Sequence, residues 1–252
     1  MTEIGADRLL ACLDVSEIDK FVLIEEHNLA DSNFVLSHLM KQVLNNKKNK
    51  ICFVMMHNTV GHYHNVGKRL GYDLLGKVKD GSIAIIEPMT AIFDELMKQS
   101  YGLYTNKVLD QMIIALETAI KSQMQTFKVE DGGHVHMIID DLSHLFDIGI
   151  GFGKVVNFVS SINKFTHQKN FNVLINMHIG DENDHRISSA LELIADIHID
   201  VAPLKTGHSS DVTGVLTITK DGGGSENIYH YKALEREIRT FRPGESLNFL
   251  YR

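Results

Sequence analysis

The sequence predicts an α/β protein: a doubly wound, mainly parallel sheet with helices on both faces and an antiparallel C-terminal extension. Three observations predict it. Short runs rich in Ile, Val and Phe alternate with helical patterns through most of the chain. Strands buried on both faces of a parallel sheet read this way. After about residue 195, strand-like runs follow one another with turn signals rather than helices between them, the pattern of antiparallel hairpins. Only 3 prolines occur in 252 residues, and no linker, low-complexity segment or internal repeat interrupts the chain. Residues 1–252 therefore read as a single domain, with a core of about 18–204 and an extension of about 205–252.

The first strand candidate is FVLIEE, residues 21 to 26, and a helical pattern follows at 32 to 46. KICFVMM (50 to 56) is the second strand, with a helix at 62 to 70 that Gly71 closes as a C-cap. SIAIIEP (82 to 88) is the third. The longest helix is predicted over 104 to 127, where Leu109, Met112, Ile113, Leu116, Ala119, Ile120 and Phe127 form one apolar stripe at three- and four-residue spacing. HVHMIIDDL (134 to 142) and NVLINMHI (172 to 179) are the fourth and fifth strands, with a helix at 153 to 168 between them. Alternation of this kind builds a doubly wound sheet. ADIHIDVAPL (195 to 204), VTGVLTITK (212 to 220), NIYHYKAL (227 to 234) and SLNFLYR (246 to 252) are the remaining strand candidates, and DGGGS (221 to 225) suits a hairpin loop.

Composition sets outer bounds. Hydrophobic content of 44% with 23% charged residues is ordinary for a globular protein. The net charge of −7 gives no long-range attraction for nucleic acid, so any such contact needs a local basic patch or partner subunits. Fourteen histidines make the charge sensitive to pH. Two cysteines, Cys12 and Cys52, give no disulfide framework, and a reducing compartment is expected. The N-terminus has no basic segment before its short apolar run and does not read as a secretory signal. No apolar stretch approaches the roughly 18 residues of a membrane span, so no membrane partner is expected.

The strand HVHMIIDDL ends in two adjacent carboxylates, Asp140 and Asp141, like the Mg²⁺-holding strand of a P-loop nucleotidase. Such a strand needs an earlier strand, then G-x-x-x-x-G-K-[ST], then a helix. The first strand and helix are present, but the residues between them read EHNLADSN. Glu26 and Asp31 stand where glycines should be, Ser32 replaces the lysine, and Asn33 replaces the Ser/Thr. A phosphate cradle requires backbone N–H groups left open by glycine, and a lysine. Two carboxylates in that loop repel an anion and each other. The loop therefore reads as a strand-to-helix turn with Asp31 or Ser32 as N-cap. Asp140 and Asp141, with no second anchor for Mg²⁺, read as solvated or hydrogen-bonded carboxylates at the sheet edge.

Three further groups of residues attract a functional reading. His57, His62 and His64 tempt a metal assignment, but H-x-H at a helix start points the rings to different faces, and zinc needs three or four convergent ligands. No metal and no cofactor are expected. The segment HIGDENDHRISS (178 to 189) lies at the carboxyl end of the fifth strand, where ligands bind in doubly wound sheets, yet it is mostly acidic and reads as a solvated loop. KALEREIRTFR carries Lys232, Arg236, Arg239 and Arg242 beside Glu235 and Glu237. It is either self-paired surface charge or a basic strip facing a partner or RNA.

Taken together, ICFVMMHNTVGHYHNVGKRLGYDL, HVHMIIDDLSHLFDIGIGFG, DVTGVLTITKDGGG and IYHYKALEREIRTFRPG resemble the family of the sixth subunit of the Elongator complex, over about residues 18 to 244. The resemblance implies a RecA-like fold without the Walker signature and a non-catalytic role. It implies assembly with the paralogous fourth and fifth subunits into a hetero-hexameric ring. That ring binds tRNA, docks onto the catalytic part of the complex and supports wobble-uridine modification. It also implies the cytoplasm as compartment, with the nucleus as a second. Ring ATPases of this type bind nucleic acid through loops after the fourth and fifth strands, here 143 to 154 and 178 to 189. The basic residues there, Lys154 and Arg186, are the candidate RNA contacts. Two other readings stand beside this one: a metal-dependent hydrolase working from Asp140 and Asp141, and a stand-alone adaptor.

Overall fold

The apolar runs become strands because each can bury side chains on two sides at once. The structure, a computed structural model, describes residues 8–27, 29–90, 106–207, 209–220, 224, 226–234 and 237–245. In chain order the elements that position the site are α1 (Arg8–Leu13), β1 (Phe21–His27), α2 (Asn33–Asn45), β2 (Lys50–Met55), α3 (Val60–Leu70), α4 (Leu74–Lys79), β3 (Ile83–Ile86) and α5 (Asn106–Thr126). Then come β4 (Val135–Asp140), α6 (His144–Asp147), α7 (Phe152–Asn163), β5 (Phe171–Ile179), α8 (Glu182–Glu192), β6 (Ile197–Pro203), β7 (Gly214–Lys220), β8 (Glu226–Ala233) and β9 (Ile238–Phe241). Among the described residues these strands form one sheet in the order β3-β2-β4-β5-β1-β6-β7-β8-β9.

β1 to β6 pair in parallel and β6 to β9 antiparallel. Two cores result. On one face Phe21, Leu23, Met137, Ile139 and Ile175 pack against α5, α7 and α8 through Ile113, Phe158 and Leu191. On the other, Val22, Ile24, Phe53 and Ile138 pack against α1 to α4 through Leu13, Leu36, Tyr63 and Leu74. The extension differs. β7 alternates between buried and half-buried residues, so only one of its faces is covered, as antiparallel sheets allow. Gly214 is needed there, because a Cβ would meet Ala202 O at 2.6 Å and the Tyr231 ring at 2.7 Å.

The predicted parallel strands are all present within a residue or two of their expected ends. ADIHIDVAPL contributes β6, which pairs in parallel with β1, so the change of direction falls after it. Gly71 closes α3 at φ 92° as expected. β9 corrects the sequence reading, since KALEREIRTFR contains a strand. So does α8, where a solvated loop was expected; Asp181 caps it in a capping box with Asp184. SLNFLYR and the helix start at 104 and 105 lie outside the described residues. Among the described residues no helix is long and apolar enough to cross a membrane.

Candidate functional site

β1 ends and α2 begins where a phosphate-binding loop would lie, at the carboxyl ends of the parallel strands. Glu26, Asn176 and Asp140 project there from β1, β5 and β4. Ser32, wholly buried at the N-terminus of α2, donates its backbone N–H to Glu26 Oε2 at 2.8 Å. Its Oγ lies 2.8 Å from the same oxygen and 2.7 Å from Asn176 Oδ1, so one hydroxyl proton serves two acceptors. Asn176 Nδ2 donates to Asp140 Oδ1 at 2.8 Å, and the Tyr63 hydroxyl donates to Asp140 Oδ2. Tyr63 Oη also lies 3.0 Å from Asn33 Oδ1, which accepts from Asn58 Nδ2 at 3.0 Å. Glu26, Ser32, Asn176, Asp140, Tyr63 and Asn33 thus form one continuous polar chain.

The expected conflict between Glu26 and Asp31 does not arise. Glu26 turns inward to the donors just named, with His178 Nδ1 at 3.2 Å from its other oxygen. Asp31 faces solvent and accepts from the Asn33 backbone at 2.9 Å and the Asn33 amide at 2.7 Å. Ser32 occupies the N-cap position, but its hydroxyl caps nothing; it is committed to Glu26 and Asn176.

Asp140 and Asp141 are hydrogen-bonded, as one of the expected readings had it, but they are 0% and 2% exposed and lie at the end of β4, inside the sheet between β2 and β5, neither solvated nor at an edge. Asp141 Oδ1 accepts from Ser143 N–H at 2.9 Å, Ser143 O–H at 2.8 Å and His178 N–H at 3.1 Å. Burial raises both carboxyls, and the nearby Asp140 charge adds to the rise at Asp141. Tyr63 is pushed well above its usual range by burial and by the same charge. A donor pair already occupies Asp140, so the arrangement offers a metal little.

Above the network opens a cleft of about 490 Å³ lined by Glu26, Asp141, Asp147, Asp181 and Asp184, with His57, His144 and His178. Among the described residues no lysine or arginine lines it. A phosphate chain would meet carboxylates where it needs N–H groups and a cation. Of the residues that close this site, Tyr63 and His178 lie in segments the sequence singled out for other reasons, and Asn176 carried no signal.

The other candidates sit apart. His57 Nδ1 lies 3.2 Å from His144 Nε2, His62 packs edge-on against Tyr63, and His64 Nδ1 lies 3.6 Å from Asp73; the three do not converge. Lys154 pairs with Asp110. Arg186 lies over the Phe152 ring at 4.2 Å, two residues from Lys154 in sequence. These two therefore occupy one end of the strands. The basic strip lies elsewhere, on β8 and β9, where Lys232 faces Arg239 across the ladder. Lys232 Nζ donates to Ser210 O at 2.6 Å, and Arg239 pairs with Glu237. Arg242 is exposed, and Arg236 lies outside the described residues. Burial pushes the Cys52 thiol up to about 12, far from nucleophilic use.

The sequence of the family described as Elongation complex protein 6 matches residues 7–235. The chain belongs to that family. Relatives named Elongator complex protein 6 agree along nearly their whole length. The one from Xenopus laevis is 24% identical over 92% of this chain and 94% of its own. The one from Drosophila melanogaster is 24% identical over 94% and 96%, and the human one 23% over 86% and 88%. Two crystal structures from Pyrococcus horikoshii share the fold. One is an uncharacterized protein in complex with an unknown peptide, at TM-score 0.59, 12% identity and 90% and 93% coverage. The other is a KaiC-like protein, at TM-score 0.58, 11% identity and 88% and 89% coverage. This chain thus has the RecA-like fold of those structures, with its phosphate-loop position closed by its own side chains.

Proposed function

We propose that this chain is a non-catalytic subunit of the Elongator complex. It assembles with the two paralogous RecA-like subunits, the fourth and fifth, into a hetero-hexameric ring that binds tRNA, docks on the catalytic subcomplex and supports wobble-uridine modification. The observation that carries this reading is the polar chain from Glu26 to Tyr63. A family member whose nucleotide position is filled by Ser32, and whose Asp140 is hydrogen-bonded by Tyr63 and Asn176, has a RecA-like body but no place for phosphate chemistry. What remains for such a body is assembly. Leu29, 98% exposed at the rim of the cleft, and Leu193, 83% exposed at the end of α8, supply apolar surface of the kind a partner covers. Arg186, lying over Phe152 two residues before Lys154, and Lys154 are the candidate RNA contacts of the assembled ring, and the paralogues supply most of the phosphate contacts. The cytoplasm, with the nucleus as second compartment, is the proposed location.

Co-expression with the two paralogues tests this. The mass of the purified species should correspond to a discrete hexamer that retains labelled tRNA. A lone monomer beside a complex of the other two chains would sink the proposal. ATP hydrolysis by the purified chain would sink the non-catalytic part of it.

A further inference from the structure

A second cluster lies on the opposite face of β1, and the site just described does not use it. Side chains alternate along a strand, so Glu25 and His27 face α8 while Glu26 faces α2. β6 lies beside β1 with Asp200 opposite Glu25 and His198 opposite Leu23, and Glu192 ends α8. One ligand atom each from Glu25, Glu192 and His198 gather within 4.8 Å of one another. His198 Nε2 is 3.2 Å from Glu25 Oε2, His27 Nε2 is 3.8 Å from that same oxygen, and His27 Nε2 is 3.3 Å from Asp200 Oδ1. Ligands bonded to zinc at about 2.0 Å stand about 3.3 Å apart along a tetrahedral edge.

We propose that Glu25, Glu192 and His198 form a three-residue binding site for a divalent transition-metal cation of zinc-like chemistry. Charge is one argument. Glu25 is 3% exposed, and each ion pair that the described residues show to Glu25 or Asp200 comes from a histidine. Three carboxylates with two imidazoles carry excess negative charge at neutral pH, and the buried Glu25 among them calls for a cation. Geometry is the second. Among the described residues nothing hydrogen-bonds to His198 Nε2 or Asp200 Oδ1, although both atoms are shielded from solvent. Nε2 and Glu25 Oε2 are close without being aligned for a direct bond, as two ligands of one ion would be. Orientation is the third. Ser188 Oγ donates to Glu25 Oε1 and turns Oε2 toward the histidines, the kind of outer support that metal carboxylates receive. Imidazole with carboxylate selects Zn²⁺ and its neighbours over Mg²⁺ or Ca²⁺. Glu192 is exposed, which leaves an entry path.

The test is calorimetric titration of the full chain with ZnCl₂ at pH 7.5, with Co²⁺ as a spectroscopic probe. One saturable Zn²⁺ per chain is expected, and tetrahedral Co²⁺ absorption in the visible. Glu192→Gln, at an exposed position that folding tolerates, and His198→Gln should each weaken binding by about tenfold or more. His144→Gln, at the unrelated His57–His144 pair, should leave it unchanged. The thermal midpoint of each metal-free variant, compared with wild type, separates lost binding from lost folding. Absence of saturable binding would overturn the proposal. So would binding that survives both Glu192→Gln and His198→Gln, or binding abolished by His144→Gln.

Discussion

Glu25 and Glu26 are neighbours on one strand with opposite surroundings. Glu26 meets a backbone N–H, a serine hydroxyl and one histidine, in a chain that continues through amides to Tyr63. Glu25 meets two histidines, a serine and, beyond them, two more carboxylates. The first face is closed by hydrogen bonds through serine, amide and phenol groups. The second sets imidazoles against carboxylates. One residue of register along β1 separates the two.

Breaking the closed face should have the largest effect. Asp140→Ala removes the acceptor of both the Tyr63 hydroxyl and the Asn176 amide. The Asn176 amide is then left unmet and the Tyr63 hydroxyl falls back on Asn33 alone, which should cost about 2 kcal/mol, read as a lower urea midpoint at unchanged slope. An unchanged midpoint would mean that the network contributes nothing to stability.

Next comes the pH dependence of Asp141. Its carboxyl holds a proton to higher pH in the folded chain than in the unfolded one. That contribution is fully present below the ordinary carboxyl value of about 4 and is lost as pH rises through the elevated folded value. Asp141→Asn cannot titrate, yet its amide oxygen still accepts. Its stability relative to wild type should therefore improve on going from pH 5 to pH 8, by roughly 1.4 kcal/mol. A difference that is flat with pH would contradict the assignment.

The Glu25 face should show a smaller effect, because its two partners titrate in opposite directions. Burial opposes the charge of Glu25, but His198 holds it below the usual carboxylate value. The same pair raises His198 against the cost of its own burial. Stability from Glu25 is present above the ordinary carboxyl value and lost as pH falls through the lowered one. Stability from His198 is present below its ordinary value of about 6.5 and lost as pH rises through the raised one. In chelator, His198→Gln should cost about 1 kcal/mol near pH 5.5 and much less at pH 8. A cost that grows toward pH 8 would invert the pairing. The smallest stability effect belongs to Leu29→Glu, at a position that is almost fully exposed. It should stay within about 0.5 kcal/mol of wild type while lowering recovery of the complex with the paralogous chains. Full recovery would remove Leu29 from the partner surface.

These faces were unequally legible in the sequence. FVLIEE and HVHMIIDDL announce buried strands by composition, and EHNLADSN announces a lost phosphate loop by what it lacks. Nothing in HVHMIIDDL says that Asp140 is met by a tyrosine 77 positions earlier. α8 was hidden because ENDHRISSALE buries few apolar side chains, Ile187 and Leu191 among them. Its signal was the capping pair Asp181 and Asp184. β9 was hidden because Arg239 and its charged neighbours masked the buried Thr240 and Phe241. Glu25, Glu192 and His198 come together only through strand order, which local pattern does not encode.

The closed loop also has a consequence in time. A loop that waits for phosphate has two settings, loaded and spent, and can tell its neighbours which it is in. A loop already latched onto Ser32 and Asn176 has one. In the ring proposed above, such a chain keeps no clock of its own.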